Sequence, residues 1–332
     1  MTAVQPARYK NMFSDSARWE GFVFRPDDIV ISTPPKCGTT WTQMICALLV
    51  YQTTSFEQSL DLISPWLDML TRDLASVRAD LDAQTHRRFI KTHTPFDGLP
   101  HHPDVTYICV GRDPRDVFRS WENHRENMDI LAVLAARERA VGLDDVMEML
   151  AVGPPPLAET EIERFWLWVD DPTPAADAMS LLQTLHHLQT FWDAREQPNV
   201  VMLHYDDLRA DLAGEMRGLA TRLGIEVGED RWRDLVDAAS FQNMRARADE
   251  IAPDTTNAIW TDNRRFFNRG CTGQWRDLLD DADVRRYNHR VSELAAPDVA
   301  TWAHQGRLAS GVDPAAPHTP RSSPATRRAV NP

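Results

Sequence analysis

Asp28-Ile29-Val30-Ile31-Ser32-Thr33-Pro34-Pro35-Lys36-Cys37-Gly38-Thr39-Thr40-Trp41 decides the fold. A short apolar run ends at a Pro-Pro turn. One ammonium, one glycine and two hydroxyls follow, and Trp41 to Val50 then repeats apolar residues with a helical period. Strand, tight loop and helix form an architecture that cradles an anion. The first N–H groups of a helix have no internal partners, and the helix dipole adds about half a positive charge there. Lys36 supplies a full charge beside them. The order differs from a nucleotide triphosphate loop, which needs Gly, four residues, then Gly-Lys-Ser/Thr. Here the lysine precedes the glycine, so the magnesium-binding hydroxyl of an NTPase is not signalled. On this stretch alone, an ordinary corner with a surface lysine stays open.

The 332 residues suit one large α/β domain or two smaller ones. No run reaches the roughly 18 to 20 apolar residues of a membrane span, and Met1 to Arg18 lacks the apolar core of a secretory signal. A formal charge of −13 disfavours nucleic-acid binding, which relies on summed positive field. Cys37, Cys46, Cys109 and Cys271 show no CxxC spacing, so neither a zinc site nor a disulfide framework is expected, and a cytoplasmic location fits. Cys37 reads as a small residue filling a tight turn, with a thiol acidified by the helix end as the competing reading. Lys10, Lys36 and Lys91 are the only lysines among 36 basic residues. Two of the three fall next to candidate motifs, where a compact point charge fits and the planar arginine fork does not.

Outward from the opening stretch, residues 1–24 read as a polar arm with aromatic anchors and residues 25–308 as the main domain. Within that domain, residues 124–172 read as an insertion or lid over the sheet edge, and residues 309–332 form a tail expected to be disordered. Residues 56–82 carry apolar positions at helical spacing. Arg88 to Thr92 is a short strand ending at His93-Thr94-Pro95, and Val105 to Gly111 is a third, giving way to Arg112-Asp113-Pro114. A helix is expected over Ala175 to Arg195, a strand over Val200 to His204, and a last helix over Asp281 to Leu294. Strands alternating with helices predict a doubly wound parallel sheet, in which ligands sit beyond the strand carboxyl ends. All three motif loops follow a strand, so all three are expected on one edge.

Arg112 and Ser120 lie eight apart across a strand-to-helix turn, where both can reach one phosphate. A local Arg-Asp network is the alternative. His93, two residues after Lys91, can take a proton from an acceptor hydroxyl. The adjacent pairs His101-His102 and His186-His187 diverge in direction and make poor metal ligands. No metal is called for.

Six pieces occur in order: Pro35 to Trp41, Lys91-Thr92-His93, Arg112 through Ser120, His204-Tyr205-Asp206-Asp207-Leu208, Ser240-Phe241 and Arg269-Gly270. Over about residues 25 to 280 the chain resembles the PAPS-dependent sulfotransferases of the cytosolic type and their bacterial relatives. The resemblance implies a P-loop-like sheet and transfer of a sulfuryl group from 3′-phosphoadenylyl sulfate (PAPS) to an alcohol or phenol. Lys36, Cys37, Gly38, Thr39, Thr40 and Trp41 would hold the 5′-phosphosulfate. Arg112 and Ser120 would bind the 3′-phosphate. Tyr205 with Ala239, Ser240, Phe241, Gln242, Asn243 and Met244 would line the adenine pocket. Phe266, Phe267, Asn268, Arg269 and Gly270 would close over the 3′-phosphate. His93 would be the general base, with Lys36 and Lys91 stabilising charge. The acceptor would be a hydroxyl-bearing small molecule or lipid held by Phe96, Trp66 and residues 124–172. Three positions depart from the family: Cys37 for serine, Ala239 for threonine and Asn268 for arginine. The family's short dimerisation motif is missing after Trp275. A P-loop kinase, and a PAP-binding protein without catalysis, are the competing functions.

Overall fold

In the computed structural model, residues 5–147, 151, 158–177, 179–253, 257–267 and 269–316 are described. Four strands, β1 (Ile29–Ser32), β2 (Phe89–Thr92), β3 (Thr106–Gly111) and β4 (Val200–His204), make one sheet in the order β2-β1-β3-β4. Every pairing is parallel; Ser32 stands beside Thr92 and Gly111 beside His204. The carboxyl ends, and the three motif turns that follow β1, β2 and β3, therefore open on one edge.

The sheet is covered on both faces, as parallel sheets are. Ile29 and Ile31 of β1, with Ile108, Val110, Val201 and Leu203, pack against α1 (Thr39–Tyr51) and the helices Leu212–Leu223 and Glu229–Ala238. Val30, Ile90, Tyr107, Cys109 and Val200 point the other way, onto Leu181–Ala194 and Pro297–Ser310. Alternate side chains of a strand face opposite layers, so one apolar strand feeds two cores. At the bottom of the sheet Arg88 Nε donates to Asp28 Oδ1 at 2.9 Å, both residues fully buried.

Several expectations shift. Over 56–82 only Leu60–Ile63 and Leu74–Ala83 are helical. Pro65 disfavours helix before it, and the Asp73 carboxylate caps the second helix by accepting from Ser76 N–H at 2.8 Å. The helix expected from Ala175 starts at Leu181, where the Ser180 hydroxyl caps it. A further helix, Pro297–Ser310, follows the one expected to be last; proline occupies its first turn, where the missing N–H costs nothing. The expected tail thus begins inside that helix, and residues 317–332 lie outside the described residues. The arm is anchored by its aromatic residues as expected: Trp19 is buried and packs with Phe22 and Phe24. Helix Glu161–Asp170 buries Phe165 and Val169 in a third core with Tyr287 and Val291. Only His124, Met128 and Val133 of the stretch expected to be a lid reach the sheet-edge cavity, among the described residues.

Candidate active site

The loop between β1 and α1 is shaped by two left-handed residues, Lys36 (φ 68°) and Gly38 (φ 106°). Gly38 is the cap of α1 and offers no side chain to its N–H groups. A Cβ there would stand 3.1 Å from the Tyr205 ring. Thr33 and Thr39 hydroxyls, 2.6 Å apart, pin the two ends of the loop.

The other two turns bind to this loop directly. His93 Nδ1 lies 2.7 Å from the Thr33 carbonyl. A carbonyl only accepts, so Nδ1 carries the proton and Nε2 keeps its lone pair. Arg112 donates through Nη1 to the Lys36 carbonyl at 2.9 Å, and its guanidinium lies 4.3 Å over the Tyr205 ring. Its Nε is buried without a partner. From the far end of the chain, Gly273 and Gln274 N–H donate to the Asp116 carboxylate at 2.7 and 3.0 Å, docking the 269–274 loop beside Arg112.

One cavity results. Its wall includes Lys36, Gly38, Thr39, Thr40, Trp41, Lys91, His93, Arg112, Ser120, Tyr205, Phe241, Met244, Phe266, Phe267, Arg269 and Gly270. Trp41 meets Tyr205 edge-on at 5.3 Å and donates its indole N–H to the Ala239 carbonyl at 2.8 Å. Gly270 (φ 60°) lies so close to Phe241 that a Cβ would stand 2.5 Å from its ring. Five expected contacts do not line the cavity. Cys37 is buried beneath the loop, and burial pushes its thiol up to about 12, so it is not an acidified thiol. Ala239 is buried and presents its carbonyl to Trp41. Ser240 caps the helix Phe241–Ala246, its hydroxyl oxygen accepting from Asn243 N–H. Gln242 and Asn243 turn outward on that helix. Asn268 lies outside the described residues. Phe96 is also no wall residue; it is buried against Tyr107 and Phe191.

The electrostatics are those of an anion site. Burial, then the Arg112 and Lys91 charges, lower the Lys36 ammonium to about 7. Burial and Lys91 hold His93 well below the usual histidine range, so the ring is neutral at pH 7. Lys91 sits 4.2 Å over the Trp66 ring, and Trp66 meets His93 edge-on at 4.7 Å. Behind them the fully buried Asp68 accepts from Trp66, Trp19, Thr92 and Thr94. These bonds fix Trp66 and the turn that carries His93.

Sequence reasoning missed part of the wall: Asn11, Phe13 and Ser14 from the arm, Met179 and Gln183, Trp121, and Ile259 and Trp260; His124 was included only as the first residue of the 124–172 stretch. His124 had a usable signal. It follows Ser120 by four on one helix, so the two share a face.

The family description "Sulfotransferase domain" matches residues 26–296. The chain belongs to the sulfotransferase domain family. It is 43% identical over 328 residues to a glycolipid sulfotransferase of Mycobacterium bovis, covering 92% of this chain and 96% of that one. A glycolipid sulfotransferase of Mycobacterium tuberculosis is 42% identical over the same coverage. Human sulfotransferase 1E1 is 25% identical over 245 residues, 70% of this chain and 73% of its own. Retinol dehydratase in complex with androsterone and the inactive cofactor PAP superposes with a TM-score of 0.64. It is 20% identical and covers 84% of this chain and 83% of its own, a likeness of fold. The parallel sheet with its P-loop-like turn is thus the sulfotransferase fold, and the chain is a sulfotransferase. Among the described residues, no helix is long and apolar enough to cross a membrane.

Proposed function

We propose that the protein moves the sulfuryl group of PAPS to a hydroxyl of a glycolipid, giving a sulfate ester and PAP. One observation carries this. The turns after β2 and β3 both hydrogen-bond to the loop after β1, so His93, Arg112 and Lys36 face one cavity. The residues present fit the donor. The orphaned Arg112 Nε is a donor waiting for an anion, and Ser120 shares its wall. Together they suit the 3′-phosphate. The uncapped start of α1, with Lys36, Thr39 and Thr40, suits the 5′ side. Trp41, Tyr205, Phe241 and Met244 suit the adenine, with Phe266, Phe267, Arg269 and Gly270 closing over it.

The chemistry follows from the protonation states. The Nε2 lone pair of His93 takes the acceptor hydroxyl's proton as its oxygen bonds to sulfur. Negative charge grows on the departing phosphate oxygen, where Lys36 and the loop N–H groups stabilise it. Lys91 neutralises charge on the transferring group. No step needs a metal ion. Phe13, Trp66, Met69, Met128 and Val133 give the acceptor side an apolar wall, with Asn11 and Gln183 as polar points. Such a lining suits a lipid that carries a sugar. Four unpaired cysteines suit a cytoplasmic setting.

The test is incubation with sulfur-labelled PAPS and a panel of glycolipids. Label in a lipid with equal release of PAP is expected. Tight PAP binding with no transfer to any hydroxyl would leave a nucleotide-binding protein, and magnesium-dependent ATP turnover a kinase.

Lys36 adds a pH signature. Its ammonium stands at about 7 in the free protein, and a bound anion raises it. PAP binding then takes up a proton. Above pH 7 the free site is deprotonated, so affinity falls as pH rises, by up to about tenfold per pH unit for one linked proton. Calorimetry in buffers of different ionisation heat reads the uptake directly.

A further inference from the structure

A second imidazole stands at the reacting end of the cavity. Lys36 Nζ lies 2.9 Å from His124 Nδ1 and 4.9 Å above the Phe266 ring. In its ammonium form Lys36 only donates; Nδ1 is then the acceptor and the proton of the neutral His124 ring sits on Nε2. The ring is fixed by aromatic neighbours: Trp260 at 4.6 Å, Trp121 at 5.5 Å and Phe266 at 5.8 Å between centroids. Burial, then the Lys36 and Lys91 charges, keep it well below the usual histidine range, so the lone pair is available at pH 7. The groups that act on Lys36 from the other turns, Arg112 and Lys91, both repel its charge. The buried Cys37 opposes them only as a thiolate, and burial keeps that thiol protonated.

We infer that His124 is a positioning residue for sulfuryl transfer: its Nδ1 holds the Lys36 side chain as a charged donor aimed across the cavity. Lysine is a flexible point charge on a four-carbon stem. Without a fixed acceptor it has no reason to stay at one place between two other cations and an aromatic ring. A hydrogen bond to a neutral lone pair both orients the ammonium and favours its charged form. The inference rests on the PAPS reading for its catalytic half only; the Lys36–His124 pairing is tested on the nucleotide-free protein.

The chain's three lysines make the test direct. Reductive methylation with a carbon-13 label gives side-chain signals for Lys10, Lys36 and Lys91, assigned by Lys10→Arg and Lys91→Arg. In His124→Phe, which keeps a ring among its aromatic neighbours, the Lys36 titration midpoint is expected to fall by about one pH unit or more. The kcat for transfer is expected to fall about 10- to 100-fold. Asparagine places an oxygen near the Nδ1 position, and glutamine near Nε2. His124→Asn is therefore expected to restore both readings, and His124→Gln neither. An unmoved Lys36 midpoint in His124→Phe, an unchanged kcat, or equal behaviour of the Asn and Gln variants overturns the assignment. A protein that never uses PAPS but shows the midpoint fall and the Asn rescue keeps the pairing and loses the proposed function.

Discussion

His93→Ala is expected to lower kcat about 100- to 10,000-fold while leaving PAP affinity nearly unchanged. The size follows from what is lost. The ring is held by one bond, Nδ1–H to the Thr33 carbonyl, which leaves Nε2 as the basic atom facing the cavity. Burial and Lys91 keep it neutral, so the basic form is already populated at pH 7. Among the described residues of the wall, no other imidazole has a free lone pair to replace it. His124 has its Nδ1 lone pair engaged by Lys36. The proposed PAP contacts lie on Lys36, Arg112 and Ser120, so nucleotide binding is expected to survive. Steady-state kinetics with calorimetric PAP titration separates the two effects. A variant that retains full kcat removes His93 from the mechanism.

Lys36→Met is expected to lower kcat about 100- to 1000-fold and to weaken PAP binding as well. Methionine keeps the length and loses the charge. Lys36 adopts φ 68°, an uncommon conformation for a residue with a side chain, and the backbone carbonyl it presents there is the acceptor for Arg112. The side-chain substitution leaves that carbonyl in place, so the fold of the turn persists and the loss reports the ammonium. The proton uptake that accompanies PAP binding should vanish with it, since Lys36 is the group held near 7. If uptake persists in Lys36→Met, another group carries the linkage.

The pieces legible in the sequence are those governed by local rules. Apolar runs bounded by turn residues gave β1, β3 and β4 nearly to the residue, because a buried parallel strand is a continuous apolar run. The helical period from Trp41 to Val50 falls inside α1 (Thr39–Tyr51). Lys36, His93 and Arg112 were legible because each sits just past a strand end, and parallel topology sends strand ends to one edge. The rest of the wall depends on how distant segments pack, which no local period encodes. Asn11 and Phe13 reach the cavity from an arm in which only the aromatic anchors had been singled out. Trp66 and Asp68 lie in a run with helical spacing that Pro65 breaks. Cys37 and Ala239 fell in motif positions with side chains that are buried, and Ser240 in one whose oxygen caps a helix. A motif position gives proximity along the chain, and the wall is chosen by side-chain direction.

The central claim is that the three strand-end turns form one nucleotide site with a base at its reacting end. A crystal structure of the protein with PAP tests it most directly. The expected result places the 5′-phosphate at Lys36 and the first N–H groups of α1, the 3′-phosphate on Arg112 and Ser120, and His93 Nε2 facing the 5′ end. PAP bound elsewhere, or bound with its 5′ end turned away from His93, would contradict the account.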